Sequence, residues 1–288
     1  MLNFDQFIGI DWSGAKSPIN TKSIAYASTS RKTNSVTLFQ QIRSRQSVCD
    51  EILKIKGRTL IGIDCNFGYA HQIVEQQLGK DADAYELWET VEAANKDHPN
   101  LFAGEFWSHP KFGKYFWTEG KMPENFQMPK RTTEIRCADN GYGNPESPFK
   151  LIGAKQVGKG GLAGMRLAFQ LKKLMGDEIA IWPFDQNCGS AKIVMTEIYP
   201  RQFIMRAGMG KQKIRTTSDL NKVLKFFDAK KYSDQEFSDH DSDAIISAAG
   251  LKFLCGNQRE IPENIAHPQS MDKKAQSKEG WIFGVGDQ

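Results

Sequence analysis

Four acidic side chains stand at the ends of apolar segments, where a carboxylate taken out of water is costly unless it is paired. Asp11 and Asp64 each close a run of apolar residues. Glu197 lies in a third run, and Asp243 stands where an apolar, helix-like segment begins. Carboxylates that meet repel one another and need a cation, and hard oxygen donors suit Mg²⁺ or Mn²⁺ rather than zinc. The four acids therefore predict a divalent-metal site, of the kind that hydrolyses phosphodiesters with two ions ~4 Å apart.

His240 joins this set through helical spacing. His240 and Asp243 are three residues apart and share one face of a helix, whereas Asp241 lies on another. A histidine at this place can ligate the metal, orient water or shuttle a proton. Asp239 and Asp241 are better explained as acids that cap the helix N-terminus.

Each of the four acids also has a structural explanation. Asp11 can form a turn before Gly14. Glu197 can pair with a core-facing arginine, and Asp243 can interact with the helix dipole in the first turn. The occurrence of all four in this order favours a shared metal site over separate structural roles.

The elements that hold the first two acids follow from hydrophobic periodicity. Three strands, a helix and a fourth strand are predicted over residues 7–11, 24–27, 36–39, 48–56 and 60–64. This β-β-β-α-β order is the first half of an RNase H-like α/β fold, in which the fourth strand lies parallel to the first and beside it. Neighbouring strands are ~4.8 Å apart, which brings Asp11 and Asp64 within reach of one cation.

The whole chain, 1–288, is predicted to form one RNase H-like domain with an insertion at 70–150. The insertion holds predicted helices at 71–78 and 84–95, followed by an aromatic, loop-like region. Its Trp107, Tyr115 and Trp117 are predicted either to stack on bases or, preferably, to form a small core. The later elements are predicted as a helix at 167–175, strands at 179–184 and 193–199, helices at 219–227 and 241–254, and a strand-like tail at 281–285. The predicted fold class is a mixed sheet, three antiparallel strands followed by parallel ones, flanked by helices.

A glycine-rich stretch at 158–164 precedes the helix predicted at 167–175. It suggests an anion site at a helix N-terminus, but it lacks the ending of a Walker loop, and a flexible loop explains it equally well. Lys155 and Lys159 are the candidate phosphate contacts, with solvated surface lysines as the alternative.

The net charge of +4 is unevenly distributed. Residues 206–231 hold eight Lys or Arg and two acids, 150–173 hold six and none, and 81–105 hold seven acids and one lysine. Such segregation fits a nucleic-acid partner, although solvated helix faces also explain it. No apolar run approaches the ~20 residues of a membrane span, no signal-peptide pattern is present, and the five cysteines are scattered without CxxC spacing. A cytoplasmic protein with reduced thiols is expected.

These residues belong to blocks that resemble the domain-of-unknown-function 429 family, described as predicted RNase H-like nucleases. The similar blocks are GIDWSGAK at 9–16, IGIDCNFG at 61–68, RTTE at 131–134, PFKLIGAKQVGKGGLAGM at 148–165, IWPFD at 181–185, TEIYP at 196–200, HDSDA at 240–244 and EGWIFGV at 279–285. The resemblance implies an RNase H-like sheet. It also implies that Arg131, Glu134 and the 148–165 block line the cleft that holds the acids.

The spacing of His240 and Asp243 is similar to that in the last helix of RuvC-type Holliday-junction resolvases. Asp11 and Asp64 match the first two acids of that group by position. The second acid is Asp here where the resolvases use Glu, and Glu197 has no clear counterpart. The resemblance implies a metal-dependent nuclease acting on nucleic acid, with Mg²⁺ or Mn²⁺ as cofactor.

Two other functions remain open. An actin- or sugar-kinase-like phosphotransferase or ATPase shares the ancestral sheet, with GIDWSGAK as its phosphate loop. That fold needs two such lobes, and only one is evident in the sequence. A binding or regulatory protein that keeps the fold without turnover is the third hypothesis, and retention of all four acids argues against it.

Overall fold

Six strands form one mixed sheet in the part of the chain that the computed structural model describes, residues 4–16, 23–153, 156–233, 236–256 and 263–286. In chain order the strands are β1 (Gln6–Asp11), β2 (Ala25–Ser30), β3 (Thr37–Leu38), β4 (Thr59–Ile63), β5 (Ile179–Trp182) and β6 (Ile193–Glu197). Their spatial order is β3-β2-β1-β4-β6-β5. Strands β1, β2 and β3 pair antiparallel, whereas β4 pairs parallel with β1 and β6, and β5 parallel with β6. The predicted mixed α/β sheet is therefore confirmed, including the parallel pairing of the first and fourth strands.

Helices cover both faces of this sheet. They are α1 (Arg45–Leu53), α2 (His71–Leu78), α3 (Ala84–Asn95), α4 (Thr132–Asp139), α5 (Gly158–Met175), α6 (Pro200–Arg206), α7 (Thr217–Phe226), α8 (Asp239–Gly256) and α9 (Glu263–Ala266). Side chains alternate along β1, so that Ile8 and Ile10 join the core layer that contains α5, and Phe7 joins the layer that contains α8. Among the described residues, no helix has the length and apolar character needed to cross a membrane.

Helix α8 lies directly against β1. A Cβ on Gly9 would collide with the α8 backbone at Ala244 and Ala248, so the strand needs glycine at this point. This close approach brings the first turn of α8 to the end of β1, and it determines which α8 side chains reach that end.

Several local predictions differ from the structure. Helices α4 and α6 were not predicted. Strand β6 ends at Glu197, two residues before the predicted end at residue 199, and Pro200 begins α6, because proline is well accommodated in a helix's first turn. Residues 281–285 form no strand; Ile282 makes an isolated bridge to Glu197.

Half of the twelve aromatic side chains in the predicted insertion, 70–150, are buried. Phe106, Phe112, Phe116 and Phe149 pack in one cluster with Tyr69 and with the isoleucines of β1 and β4. The segment therefore contributes to the same hydrophobic core as the sheet, because its aromatic rings fill space beside β1 and β4.

Candidate functional site

A cavity of about 720 Å³ opens where the carboxyl ends of β1, β4 and β6 meet. Asp11 is the last residue of β1, Asp64 follows β4 directly, and Glu197 is the last residue of β6. These strands are parallel neighbours, so their ends share one edge of the sheet. The first turn of α8 adds two more side chains, and together five of the predicted residues line the cavity: Asp11, Asp64, Glu197, His240 and Asp243.

The carboxylate of Asp64 has no countercharge bonded to it among the described residues. Its backbone N–H donates to the Ile10 carbonyl at 2.9 Å, which fixes it beside β1, but no described residue forms a hydrogen bond or ion pair with its side chain. Removal from water raises the pKa of Asp64 well above its ordinary value, and the charges of Asp11 and Asp243 raise it further. Burial and the charge of Asp11 likewise raise the pKa of Asp243 to about 7. Such mutual repulsion is what a divalent cation relieves.

The donors at this edge fit a hard cation by their chemistry. Asp64 and Asp243 offer carboxylates without partners in the described chain, and the buried amide oxygen Oδ1 of Asn66 also has no hydrogen-bond partner there. Within the described ranges, no group of three or more His, Cys, Asp or Glu side chains is already arranged to hold a metal ion. The side chains therefore have to turn toward one another before they can close a coordination shell.

Asp11 and His240 form a bonded pair. The Nδ1 of His240 bonds the Oδ2 of Asp11, and this hydrogen bond is the main cause that raises the pKa of His240. The structure thus brings His240 and Asp243 to the cavity that the acids line. The His240 side chain is 46% exposed, so the pair is accessible from the cavity.

The two acids set aside as helix caps differ from each other. Asp241 and Ser238 form a capping box, with Ser238 N–H donating to Asp241 at 2.9 Å and Asp241 N–H donating to Ser238 at 3.2 Å. The other carboxylate oxygen of Asp241 accepts a hydrogen bond from Arg43 at 2.7 Å. Asp239 is not a cap: it pairs with Lys213 at 2.7 Å and Arg215 at 3.1 Å at the edge of the cavity.

Glu197 has the arginine partner that was its structural alternative. Arg131 donates from Nη2 and Nη1 to the two carboxylate oxygens of Glu197, at 2.6 and 2.8 Å. Arg131 is buried, and it also bonds Glu134 and the carbonyl of Glu279. Burial raises the pKa of Glu197 to about 7 although Arg131 opposes the shift. A ligand role for Glu197 therefore has to compete with this ion pair.

The blocks outside the strands lie where the family resemblance placed them. Arg131, Glu134 and part of the 148–165 block line the same cavity. Lys159 lines it as well, whereas Lys155 falls outside the described residues.

The glycine-rich stretch is not a loop but the first two turns of α5. A Cβ on Gly161 would collide with the side chain of Asn66, and one on Gly164 with the Sγ of Cys65. The glycines let α5 approach the loop that follows Asp64.

Arg45, which supports the site from outside the cavity lining, was not anticipated. It is fully buried and donates to the carbonyls of Ser13 at 2.6 Å and Asn100 at 2.5 Å, so it connects the loop after Asp11 to the predicted insertion. The sequence could have indicated that Arg45 is buried, because Arg45 lies on the apolar i, i+3, i+4, i+7 face of α1.

Comparisons of the chain with protein-family models, with curated proteins and with solved structures find no match. The resemblance to the predicted nuclease family remains a prediction.

Proposed function

We propose that this protein is a divalent-metal-dependent nuclease with an RNase H-like core, which hydrolyses phosphodiester bonds in nucleic acid. One observation carries the proposal: the partly buried carboxylate of Asp64 lies among the negative charges of Asp11 and Asp243 without an ion-pair partner in the described chain. Carboxylates in this state are unfavourable for folding, and their placement at one cavity is explained by a cation that they bind.

The sheet supports an RNase H-like core. Strand β1 lies between an antiparallel neighbour, β2, and a parallel neighbour, β4, and the first two acids terminate β1 and follow β4. The described residues form one sheet, whereas a kinase-like phosphotransferase needs a second lobe with its own sheet. The nuclease is therefore preferred over the phosphotransferase.

The residues of the cavity have separate roles in the proposed reaction. Asp64 and Asp243, with Asp11, would hold one or two Mg²⁺ or Mn²⁺ ions, which when bound stabilise negative charge on the phosphate. His240, held by Asp11 and open to the cavity, exchanges a proton with the attacking water or the leaving oxygen. Lys159 contacts a phosphate oxygen of the strand. Hydrolysis joins the water oxygen to phosphorus, breaks one P–O ester bond and leaves the departing oxygen protonated.

Calorimetric titration with Mn²⁺ and Mg²⁺ tests the metal site. We expect the wild type to bind and Asp64→Asn to lose most of its affinity. Asp139→Asn, which removes an exposed acid from α4, is the matched control and should bind like the wild type. Absence of binding to the wild type would refute the metal site and, with it, the proposed mechanism.

A substrate panel tests the reaction. Single strands, duplex, RNA–DNA hybrid, branched junction and ATP are incubated with Mn²⁺ and the wild type or Asp64→Asn. Cleavage of a nucleic acid that is lost in Asp64→Asn supports the nuclease. Hydrolysis of ATP without cleavage of any nucleic acid would favour the phosphotransferase instead.

A further inference from the structure

Two aromatic rings line the cavity that holds the acids. Phe102 and Trp107, here called the aromatic wall, lie with their ring centroids 5.9 Å apart in an edge-to-face arrangement. Both rings pack over Gly104, where an added Cβ would collide with Phe102 and come within 3.3 Å of Trp107. Trp107 is only partly buried, unlike Phe106 and Phe112 beside it. The wall is thus an aromatic surface that the hydrophobic core does not fully cover.

The aromatic wall is held in place by two buried arginines. Asn100 and Leu101, just before it, both have left-handed backbones, with φ of 53° and 55°, a conformation that costs free energy in residues other than glycine. Arg45 donates to the Asn100 carbonyl at 2.5 Å, and Arg166 donates to the Phe102 carbonyl at 2.5 Å. Since Arg45 also donates to the Ser13 carbonyl at 2.6 Å, the wall is tied to the loop that follows Asp11.

Lys159 lies beside both the aromatic wall and the loop that follows Asp11. Its Nζ is 5.7 Å from the centroid of the Trp107 ring. Its backbone abuts Gly14, so closely that a Cβ there would collide with it, and the next residue, Gly160, accepts a hydrogen bond from Trp12 at 3.1 Å. An aromatic face, a cation and the carboxylates therefore line one cavity.

We infer that this cavity seats one nucleotide unit of a single-stranded nucleic acid, with its base stacked on Trp107 and its phosphate beside Lys159. The inference deepens the proposed function and rests on it. A nucleotide joins a flat base to a negatively charged phosphate, which complement the aromatic wall and Lys159, respectively. Aromatic side chains stack on any of the bases. The volume of about 720 Å³ lies within the range of pockets that enclose one small ligand and is too small to enclose a duplex. A free nucleotide shares this chemistry, so the experiment includes it.

Binding of a short, fluorescently labelled single-stranded oligonucleotide is measured by anisotropy, with Ca²⁺ replacing Mg²⁺ to separate binding from turnover. We expect Trp107→Ala to weaken binding by about 5- to 150-fold, the loss that corresponds to one stacked base. Trp107→Phe should retain most of the affinity, because a phenyl ring also offers a stacking face. Trp117→Ala is the matched control: Trp117 lies outside the cavity lining, its indole donates to the Glu119 carbonyl at 2.8 Å, and its loss should leave binding unchanged.

A second measurement does not depend on the folding of any variant. Single abasic residues are placed along the oligonucleotide, and binding to the wild type is compared with that of the intact strand and of ATP. One abasic position should weaken binding about as much as Trp107→Ala does. ATP should compete poorly.

The outcomes separate this inference from the nuclease itself. If the wild type cleaves single strands but neither Trp107→Ala nor any abasic position weakens binding, the stacking of a base on Trp107 is refuted and the nuclease activity stands. If both changes weaken binding and no nucleic acid is cleaved, the stacking of a base on Trp107 stands and the nuclease activity is refuted. Tighter binding of ATP than of the oligonucleotide, lost in Trp107→Ala, would overturn the single strand as the occupant.

Discussion

The guanidinium of Arg131 donates to both carboxylate oxygens of Glu197, at 2.6 and 2.8 Å, and both side chains are buried. Asp64, at the end of the neighbouring strand, has no such partner in the described chain. The sequence predicted both acids as metal ligands, with an ion pair to a core-facing arginine as the alternative for Glu197. The structure distinguishes them, since Glu197 is paired with Arg131 whereas the Asp64 side chain has no ion-pair partner among the described residues.

Replacement of Arg131 should destabilise the fold. Arg131→Met leaves the carboxylates of Glu134 and Glu197 buried without a countercharge, and breaking a buried ion pair from one side costs ~3–5 kcal/mol. Urea unfolding followed by circular dichroism measures the loss. Arg136→Met, on the exposed side of α4, should change the free energy of unfolding by less than ~0.5 kcal/mol. Equal effects of the two substitutions would contradict a structural role for the Arg131–Glu197 pair.

Removal of the Asp64 charge should stabilise the metal-free protein. Asp64→Asn removes a desolvated charge that Asp11 and Asp243 repel, so the Tm measured at pH 8 with a chelator should rise. The same variant should lose the increase in Tm that Mn²⁺ gives the wild type. Asp139→Asn should alter neither value. A lower Tm for Asp64→Asn in the chelator would show that the Asp64 carboxylate stabilises the fold.

The stability of the metal-free protein should fall as the pH rises from about 4 to about 7. Burial raises the pKa of Asp243 from its ordinary value of 3.8 to about 7, and that of Glu197 from 4.5 to about 7. Between these values the folded chain binds protons that the unfolded chain has lost, so stability decreases with pH. A metal ion bound at Asp243 competes with the proton of that carboxylate, and the Tm increase from Mn²⁺ should be larger at pH 8 than at pH 5.5. A Tm increase from Mn²⁺ that does not depend on pH would contradict metal ligands that titrate in this range.

His240→Gln should reduce turnover more than metal binding. Loss of a general acid or base typically lowers kcat by ~10²–10⁴-fold, and the carboxylates of Asp64 and Asp243 remain in the variant. The pH–rate profile should lose the limb that His240 supplies. Parallel losses of Mn²⁺ affinity and turnover would instead indicate that His240 is a metal ligand.

Lys159→Ala should weaken nucleic-acid binding in a salt-dependent way. Loss of one phosphate contact to a single strand lowers the slope of log Kd against log salt by ~0.7. Lys173→Ala, exposed near the other end of α5, is the matched control and should leave the slope unchanged. Equal slopes for Lys159→Ala and the wild type would remove Lys159 from the phosphate contacts.

Much of the sheet was predictable because its signals are local. Apolar runs that end on Asp11 and Asp64 marked β1 and β4, and the polar turns between the first three strands indicated an antiparallel meander. The helices at 71–78 and 84–95 were predicted with the bounds that α2 and α3 have. Helix α5 was predicted too short, because glycines disfavour helix by ~1 kcal/mol each and only contact with the loop after Asp64 explains them.

The sequence by itself determined that Asp11, Asp64 and Asp243 occupy the ends of elements and that His240 shares a helix face with Asp243. Spacing of 2 or 3.6 residues and the cost of burying a charge suffice for those statements. Only the tertiary structure decided that Glu197 pairs with Arg131, 66 residues away, and that Trp107 lines the cavity. Such contacts depend on which distant segments the packed core brings together, and no local pattern encodes that choice.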